Sequence, residues 1–438
     1  MTKSKERVPN WVHKLLIPLL LLTLCPPAVF VIWYINTNLG GSISPLLDLI
    51  HNDGLFPTLS MIITPVMLGS ATAWKMIGIF AAFQIMLMRL VPGKPFQGPM
   101  TPKGNTPVYK ANGLACFLIT FATFFITSYG LKWFSPTIIY DNLGELFGAL
   151  NISSLCLCLF LYLKGILKPS TSDHGISGHV IFDFYWGTEL YPRVFGWDIK
   201  QFTNCRMGMM SWGLFLISYA AAQEELHGLS NSMAISVALQ LIYIAKFFVW
   251  ETGYFRSLDI MHDRAGFMIC WGCLVWVPCV YTSATMYMVH NPIQLSPLLA
   301  IAISLLGLAG ITINYLADRQ RQIVRATDGN CLVWGKKPVL IEATYTTKSG
   351  KEKKNVLLAS GWWGSARHFH YVPELLAALM WSIPALFFSF MPYFYFVFLT
   401  ILLLDRAVRH DKLCAEKYGS AWDKYCKKVP YRIIPYIY

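Results

Sequence analysis

Charge is what this chain has least of. Only 13% of its 438 residues are charged while 55% are apolar, about half the charge and more apolar mass than one water-soluble core uses. The familiar nucleotide signatures are missing too. No strand leads into GxGxxG and there is no GxxxxGK[ST]; Gly307 and Gly310 of LLGLAG lie within an apolar run. That excludes a soluble nucleotide-binding domain. The eleven cysteines read as scattered, mostly within apolar runs (Cys116, Cys156, Cys158, Cys270, Cys273, Cys279), so neither a zinc site nor a disulfide framework is expected. Tandem repeats and low-complexity segments are absent as well. Any dinucleotide would have to be held by the apolar body itself.

What is present is a series of runs near the roughly 20 residues that cross a hydrocarbon core. Ten spans are expected, at about 12–35, 57–88, 112–131, 145–167, 209–223, 233–249, 266–289, 295–317, 373–390 and 393–405. The first run is long and has no small-residue cleavage site after it, so it reads as an uncleaved span. With Lys3, Lys5, Arg7 and Lys14 in the cytosol, the loops facing away hold a single basic residue, Lys132. Lys94, Lys103, Lys110, Arg193, Lys200, Arg206, Arg256, Arg264 and the basic blocks after 318 and 405 all fall on the cytosolic side. This asymmetry supports both the span count and cytosolic termini. The formal charge of +13 therefore reads as surface charge near anionic lipids and phosphates, with no nucleic-acid partner. Segment 57–88 is too long for one perpendicular helix and holds Lys75; it is either one tilted helix or a span with an interfacial piece.

The expected fold is an all-α polytopic membrane protein of about ten transmembrane helices. A small β-hairpin is expected within 318–372, where IEATYTTKSGKEKKNVLLAS alternates about a polar turn at Lys348–Lys351. Residues 1–205 read as an N-terminal region of membrane helices and cytosolic loops. Residues 206–438 read as the catalytic membrane region.

Chemistry concentrates in that second part. Arg321 and Arg325, four apart at the end of a span, face the same way on a continuing helix. They suit either bidentate phosphate binding or membrane anchoring. A tryptophan of SGWWG is placed either to offer its face to an aromatic ring or to sit in an interfacial belt. Arg406, Arg409, Cys414, Lys417, Tyr418 and Tyr425 form a post-span helix that is either a binding wall or a snorkelling segment. In LIYIAKFFVWETGYFRSLDIMHDRAGF, the polar residues Tyr243, Glu251, Asp259, His262 and Asp263 border or enter a span, which by default suggests function. Tyr243 reads as a proton donor or an interhelical hydrogen-bonding group. Asp259, His262 and Asp263 read as helix-end caps rather than metal ligands. Glu224, Glu225 and His227 read as a solvated face.

The blocks FDFYWGTELYPR, IKQFTNCRMGMMSW, DIMHDRAGFMICWGCLVWVPCVYTS, NYLADRQRQ, NCLVWGKKP, LLASGWWGSARHFHYVPE and LLLDRAVRHD…KYG…YC…VPYRIIP together resemble the sterol reductases of ergosterol and cholesterol biosynthesis. The resemblance is strong over residues 90–438 and weak before. DRAGFMICWGCLVWVP and NCLVWGKKP favour the plant-type Δ7 branch. It implies a ten-span enzyme that adds hydride from NADPH, with a proton, across a ring double bond, the C7–C8 bond of 5,7-diene sterols; the Δ14 and Δ24 bonds are the alternatives within the family. By motif, the cofactor contacts implied are Arg321, Arg325, Leu358, Trp363, His370, Tyr371, Arg406, His410, Cys414, Lys417, Tyr418 and Tyr425. Tyr243 matches the family's proton-relay tyrosine. The family's acidic residue after RxxR is replaced by His410, with Asp411 beside it, so Tyr243, His410 and Asp411 are the catalytic candidates. Glu251, Asp259, His262, Asp263 and Trp276 are candidates for the substrate pocket. The sterol would come from the bilayer, in the endoplasmic reticulum membrane of a eukaryote or the cytoplasmic membrane of a bacterium; the oligomeric state is left open. Two other classes remain: the last hundred residues also resemble isoprenylcysteine carboxyl methyltransferases, which bind S-adenosylmethionine, and a non-catalytic sterol-binding membrane protein would share the same scaffold.

Overall fold

A computed structural model describes residues 11–101, 103–346 and 352–438. Lys3, Lys5 and Arg7, and the hairpin turn expected at Lys348–Lys351, lie outside the described residues.

Among the described residues, eight helices are long and apolar enough to cross a membrane: Val12–Asn38, Ala71–Leu90, Gly113–Gly130, Leu143–Leu167, Asn231–Val249, Phe267–Met288, Pro297–Ala326 and Met391–Tyr418. They account for eight of the ten expected spans. In chain order, the elements that matter below begin with α1 (Ile17–Asn38), α2 (Leu55–Ile63) and α3 (Ala71–Leu90). The strands β1 (Lys94–Gln97) and β2 (Val108–Ala111) pair antiparallel, and α4 (Gly113–Phe125) and α5 (Leu143–Leu167) follow. A small hairpin of β3 (Arg193–Val194) and β4 (Trp197–Asp198) precedes a π-helical stretch over Gln201–Met209, α6 (Met210–His227) and α7 (Asn231–Val249). Another π-helical stretch, Phe267–Tyr281, leads to α8 (Pro297–Ala326). Then come β5 (Leu340–Thr346), β6 (Glu352–Leu358), α9 (Tyr371–Ser382), α10 (Phe394–Tyr418) and α11 (Ser420–Lys428).

The segment expected at 57–88 is two helices. Ser70 caps α3, its side chain accepting from the Ala73 amide at 3.1 Å, as an N-cap serine does for an orphan donor. The intervening turn rests directly on α5. A Cβ at Gly148 would fall 1.9 Å from the Val66 carbonyl oxygen, so only glycine permits this approach.

The other two expected spans are shorter or more polar than their neighbours. Segment 209–223 lies in α6, which carries Ser218, Gln223, Glu224, Glu225 and His227 and buries most of its side chains. Segment 373–390 is α9 followed by a 3₁₀ turn at Ile383–Ala385. The 12 residues of α9 rise about 18 Å, less than the hydrocarbon thickness of about 30 Å. It is held against α8 instead. A Cβ at Gly310 would sit 3.0 Å from both the Ala377 nitrogen and the Pro373 oxygen, so the two backbones meet there.

The apolar core is continuous from Val29 to Ile433 and draws on both sides of residue 205. A second cluster lies beyond the spans. Ala343 and Leu357 of the hairpin pack on Cys414, Tyr418, Trp422 and Tyr425, forming a cap over the ends of α8 and α10. The expected hairpin is present, with Leu340 opposite Leu358 and Thr346 opposite Glu352.

Candidate functional site

One cavity of about 1040 Å³ runs from the cap into the helix bundle. Its outer end is basic and aromatic. Arg321 lies over Trp363 with its guanidinium carbon 4.0 Å from the ring centre, and Asp318 takes one of its nitrogens at 3.2 Å. Arg325 lines the same wall one turn on. Trp363 is held by its own donor, Nε1 to the Ala317 carbonyl at 2.7 Å, and by Tyr425, whose hydroxyl donates to the Trp363 carbonyl at 3.0 Å. The SGWWG turn docks on α8 because Gly361, at φ +61°, lets Gln320 Oε1 accept from the Trp362 amide at 3.0 Å. Lys417 sits 4.3 Å from the Tyr345 ring centre.

Behind this wall is a histidine and arginine cluster. Asp411 accepts from Arg432 Nε at 2.8 Å and Arg367 at 3.2 Å and lies 3.0 Å from His368 Nε2. The cluster ties α10 to residues 367–368 and to Arg432 near the C-terminus. Burial lowers the pKa of His368 despite its hydrogen bond to Asp411. His370 is pushed well below the usual histidine range by burial and by Arg321; its Nδ1 is buried without a partner. His410 stands edge-on to His368, ring centres 5.0 Å apart, with Cys414 Sγ 3.6 Å from its Nδ1.

The inner end is a box of aromatic rings, Trp212, Trp381, Tyr281 and Tyr395, around Tyr243. Tyr243 lies 5.7 Å from Trp212 and 5.4 Å from Trp381, centre to centre. A hydrogen-bond chain sets the box: Trp212 Nε1 donates to Gln240, Gln240 to Ser236, and Ser236 to the Trp381 carbonyl. The Tyr243 hydroxyl donates to the carboxylate of Glu374. Lys246 Nζ lies 4.2 Å from the Tyr243 ring centre and donates to Asn314 Oδ1 at 2.8 Å, while Asn314 donates to the His370 carbonyl at 3.0 Å. The close approach of α8 and α9 at Gly310 places Asn314, Glu374 and His370 on one face of the cavity.

All the cofactor-contact positions expected from the sequence line this cavity, as does Tyr243. Arg406 does so with its fork occupied, since both its terminal nitrogens lie 3.3 Å from Asp259. Asp259 and His262 reach the cavity wall, whereas Glu251, Asp263 and Trp276 do not. Glu251 is buried in an ion pair, 2.6 Å from Arg206, and accepts from the Gly113 amide at 2.8 Å. Arg206 also donates to Asn112 at 2.9 Å. Burial and Asp259 raise the Asp263 carboxyl to about 6; it faces Arg409 at 3.8 Å. Trp276 packs on Phe398. Asp411 is likewise a tether and not a cavity residue. These are framework groups.

The partner of Tyr243 is therefore Glu374 of α9, not His410 or Asp411 of α10. The sequence carried one signal for it: an ionisable side chain at the head of a predicted span, in VPELL. The aromatic box had no comparable signal, because its members come from four separate segments. Cys270 and Cys273 stand in CxxC spacing; both are free within the π-helical stretch, and no metal-binding cluster occurs among the described residues.

Comparison with known proteins gives a consistent picture. A family model described as the ergosterol biosynthesis ERG4/ERG24 family matches residues 48–438. The chain is 52% identical over 423 residues to the 7-dehydrocholesterol reductase of Arabidopsis thaliana, covering 95% of this chain and 96% of that one. It is 38% identical over 408 residues to the 7-dehydrocholesterol reductase of Danio rerio, at 90% and 85% coverage. It is also 40% identical over 370 residues to the Delta(14)-sterol reductase of Methylotuvimicrobium alcaliphilum, covering 83% and 84%.

Proposed function

The chain belongs to the ergosterol biosynthesis ERG4/ERG24 family of sterol reductases, and we propose that it reduces the C7–C8 double bond of 5,7-diene sterols with NADPH. The observation that carries this reading is the single cavity that joins a basic, indole-lined end to a buried Tyr243–Glu374 pair.

The outer end fits a phosphorylated dinucleotide. Arg321, Arg325 and Lys417 supply charge for phosphate oxygens, and the Trp363 face, already matched to a planar guanidinium, suits planar stacking. NADPH, when bound, supplies the hydride. The rest belongs to the chain. A sterol alkene accepts hydride poorly until one of its carbons takes a proton. Tyr243 is the acid for that step: its hydroxyl proton passes to the sterol carbon, and the phenolate oxygen is reprotonated through its hydrogen-bond partner Glu374. Lys246 beside the ring favours the transient negative charge. Trp212, Tyr281 and Tyr395 exclude water and present apolar surface to the steroid rings, with Trp381 packed behind them. Hydride at one carbon and a proton at its neighbour leave a saturated bond and the oxidised dinucleotide.

The sterol is drawn from the bilayer, and the basic cavity end faces the cytosol with both termini. Reduction of the Δ14 bond is the second reading, favoured by the 40% identity to a protein of that name. Expression in a host that supplies 5,7-diene sterols separates the two. Loss of the conjugated-diene ultraviolet absorbance, with a product two mass units heavier, is the expected result. An unchanged diene together with reduction of an added Δ8,14-diene would assign the Δ14 bond instead.

A further inference from the structure

A second recess, of about 370 Å³, opens beside the ends of α3 and α4 and shares Tyr109 with the wall of the large cavity. Its wall carries Arg89, Lys110 and Arg193, and among the described residues none of the three lies within ion-pairing distance of a carboxylate. Their firm contacts are to backbone carbonyls: Lys110 to Arg89 at 2.8 Å and Arg193 to Val108 at 2.5 Å. Facing them are two buried oxygens with no partner. Asp198 is 5% exposed; its Oδ1 caps Gln201 at 2.9 Å, and its Oδ2 has no hydrogen bond. Tyr109 is 2% exposed and its hydroxyl is equally unpaired. Orphaned buried oxygens are costly, and here both belong to residues that line the recess beside Arg89, Lys110 and Arg193.

The recess sits at head-group depth, since Arg89 closes a spanning helix and Gly113 opens the next. Its rim is apolar. Leu90 is exposed, and Phe195 is 92% exposed at the tip of the β3–β4 hairpin. That two-residue turn places Phe195 at φ +50° and Gly196 at φ +88°. Asn or Gly suits such a first position better, so a bulky aromatic there is strained as well as exposed, which a contact with acyl chains would explain.

We propose that this recess binds the head group of a primary-amine phospholipid, with the phosphodiester on Arg89, Lys110 and Arg193 and the ammonium on Asp198 and Tyr109. An anion alone would leave the two oxygens orphaned, and a cation alone would leave the arginines unpaired. A phosphoethanolamine group carries both charges two carbons apart.

Native mass spectrometry of the delipidated full-length protein, titrated with phosphatidylethanolamine, phosphatidylcholine or soluble glycerophosphoethanolamine, tests this. One phosphatidylethanolamine per chain is expected, bound about tenfold or more tighter than phosphatidylcholine, which has no N–H donor. The Arg89→Gln/Arg193→Gln variant is expected to lose that affinity by a similar factor. Tyr109→Phe and Asp198→Asn are expected to narrow the preference over phosphatidylcholine; Tyr109→Phe serves alone if Asp198→Asn misfolds. Equal binding of the two lipids, or unchanged binding by the double arginine variant, would overturn the proposal. Glycerophosphoethanolamine binding as tightly as the lipid would overturn the lipid source, making the ligand a soluble phosphoester.

Discussion

Tyr243 and Glu374 are 131 positions apart, and no spacing rule joins them; only the packing of α7, α8 and α9 does. If Tyr243 is the acid and Glu374 replenishes it, removing either proton carrier slows the chemical step without loosening the cofactor. Tyr243→Phe and Glu374→Gln are each expected to lower kcat by about 10²-fold or more, the usual scale of general-acid catalysis, with the NADPH requirement little changed. A rate unaffected by Glu374→Gln would return the role to another group. Arg321→Ala is expected to do the reverse, raising KM for NADPH by about tenfold or more through the loss of a charge-assisted contact, with kcat largely kept. The arginine and tryptophan positions were legible in the sequence because phosphate and planar rings call for recognisable residue types. Glu374 was obscured because the family's acidic position after RxxR, occupied here by His410, drew attention to α10, whereas the hydrogen-bond partner of Tyr243 lies on α9. A side chain's partner across the bundle is a tertiary fact, and periodicity says nothing of it.

Loops that look like connectors in the sequence prove to be clamped at the level of whole elements. Lys200 is fully buried and donates to three carbonyls, Asp259, Ile260 and Asp263, at 2.7, 2.8 and 2.7 Å. It holds the segment from which Asp259 pairs with Arg406. Burial lowers its pKa to about 8. A lysine whose folded pKa lies below its unfolded value is stabilised by losing its proton, so its contribution rises as pH climbs from about 8 toward about 10. The difference in melting temperature between the native protein and Lys200→Met should therefore grow over that interval; a difference flat with pH would mean that the amine stays charged. The Glu251–Arg206 pair makes a companion case. Glu251→Gln leaves an uncompensated buried guanidinium and is expected to cost about 3–5 kcal/mol, read as a lower melting temperature with little change in KM for the sterol. A selective rise in that KM would restore Glu251 to the substrate pocket. Spans were the most legible elements, since uninterrupted apolar runs have few other uses. Segment 57–88 shows the limit: its excess length was visible, but its break depends on Val66 meeting Gly148, a contact between two elements.

The whole molecule has a direction, set by which side its charge lies on. The cap over the cavity mouth is built from the β5–β6 hairpin, α11 and the C-terminal residues, with Arg432 reaching back to Asp411 at 2.8 Å. The C-terminus and the basic cavity end therefore share one side of the bundle. The scarcity of Lys and Arg in the opposite loops, where Lys132 stands alone, supports our proposal that this side is the cytosol, by the positive-inside rule. NADPH does not cross a bilayer, and this turns the geometry into a measurement. In vesicles holding the protein in both orientations, externally added NADPH reaches only molecules whose cap faces outward. The fraction of sterol-reducing activity seen before permeabilisation should then match the fraction of C-terminal tags that external protease removes from a parallel aliquot. Activity that follows the protected fraction would place the dinucleotide entrance at the far end of the bundle. It would also separate Arg321 and Arg325 from the cofactor, because a charge cluster on the wrong side of the membrane has no phosphate to meet.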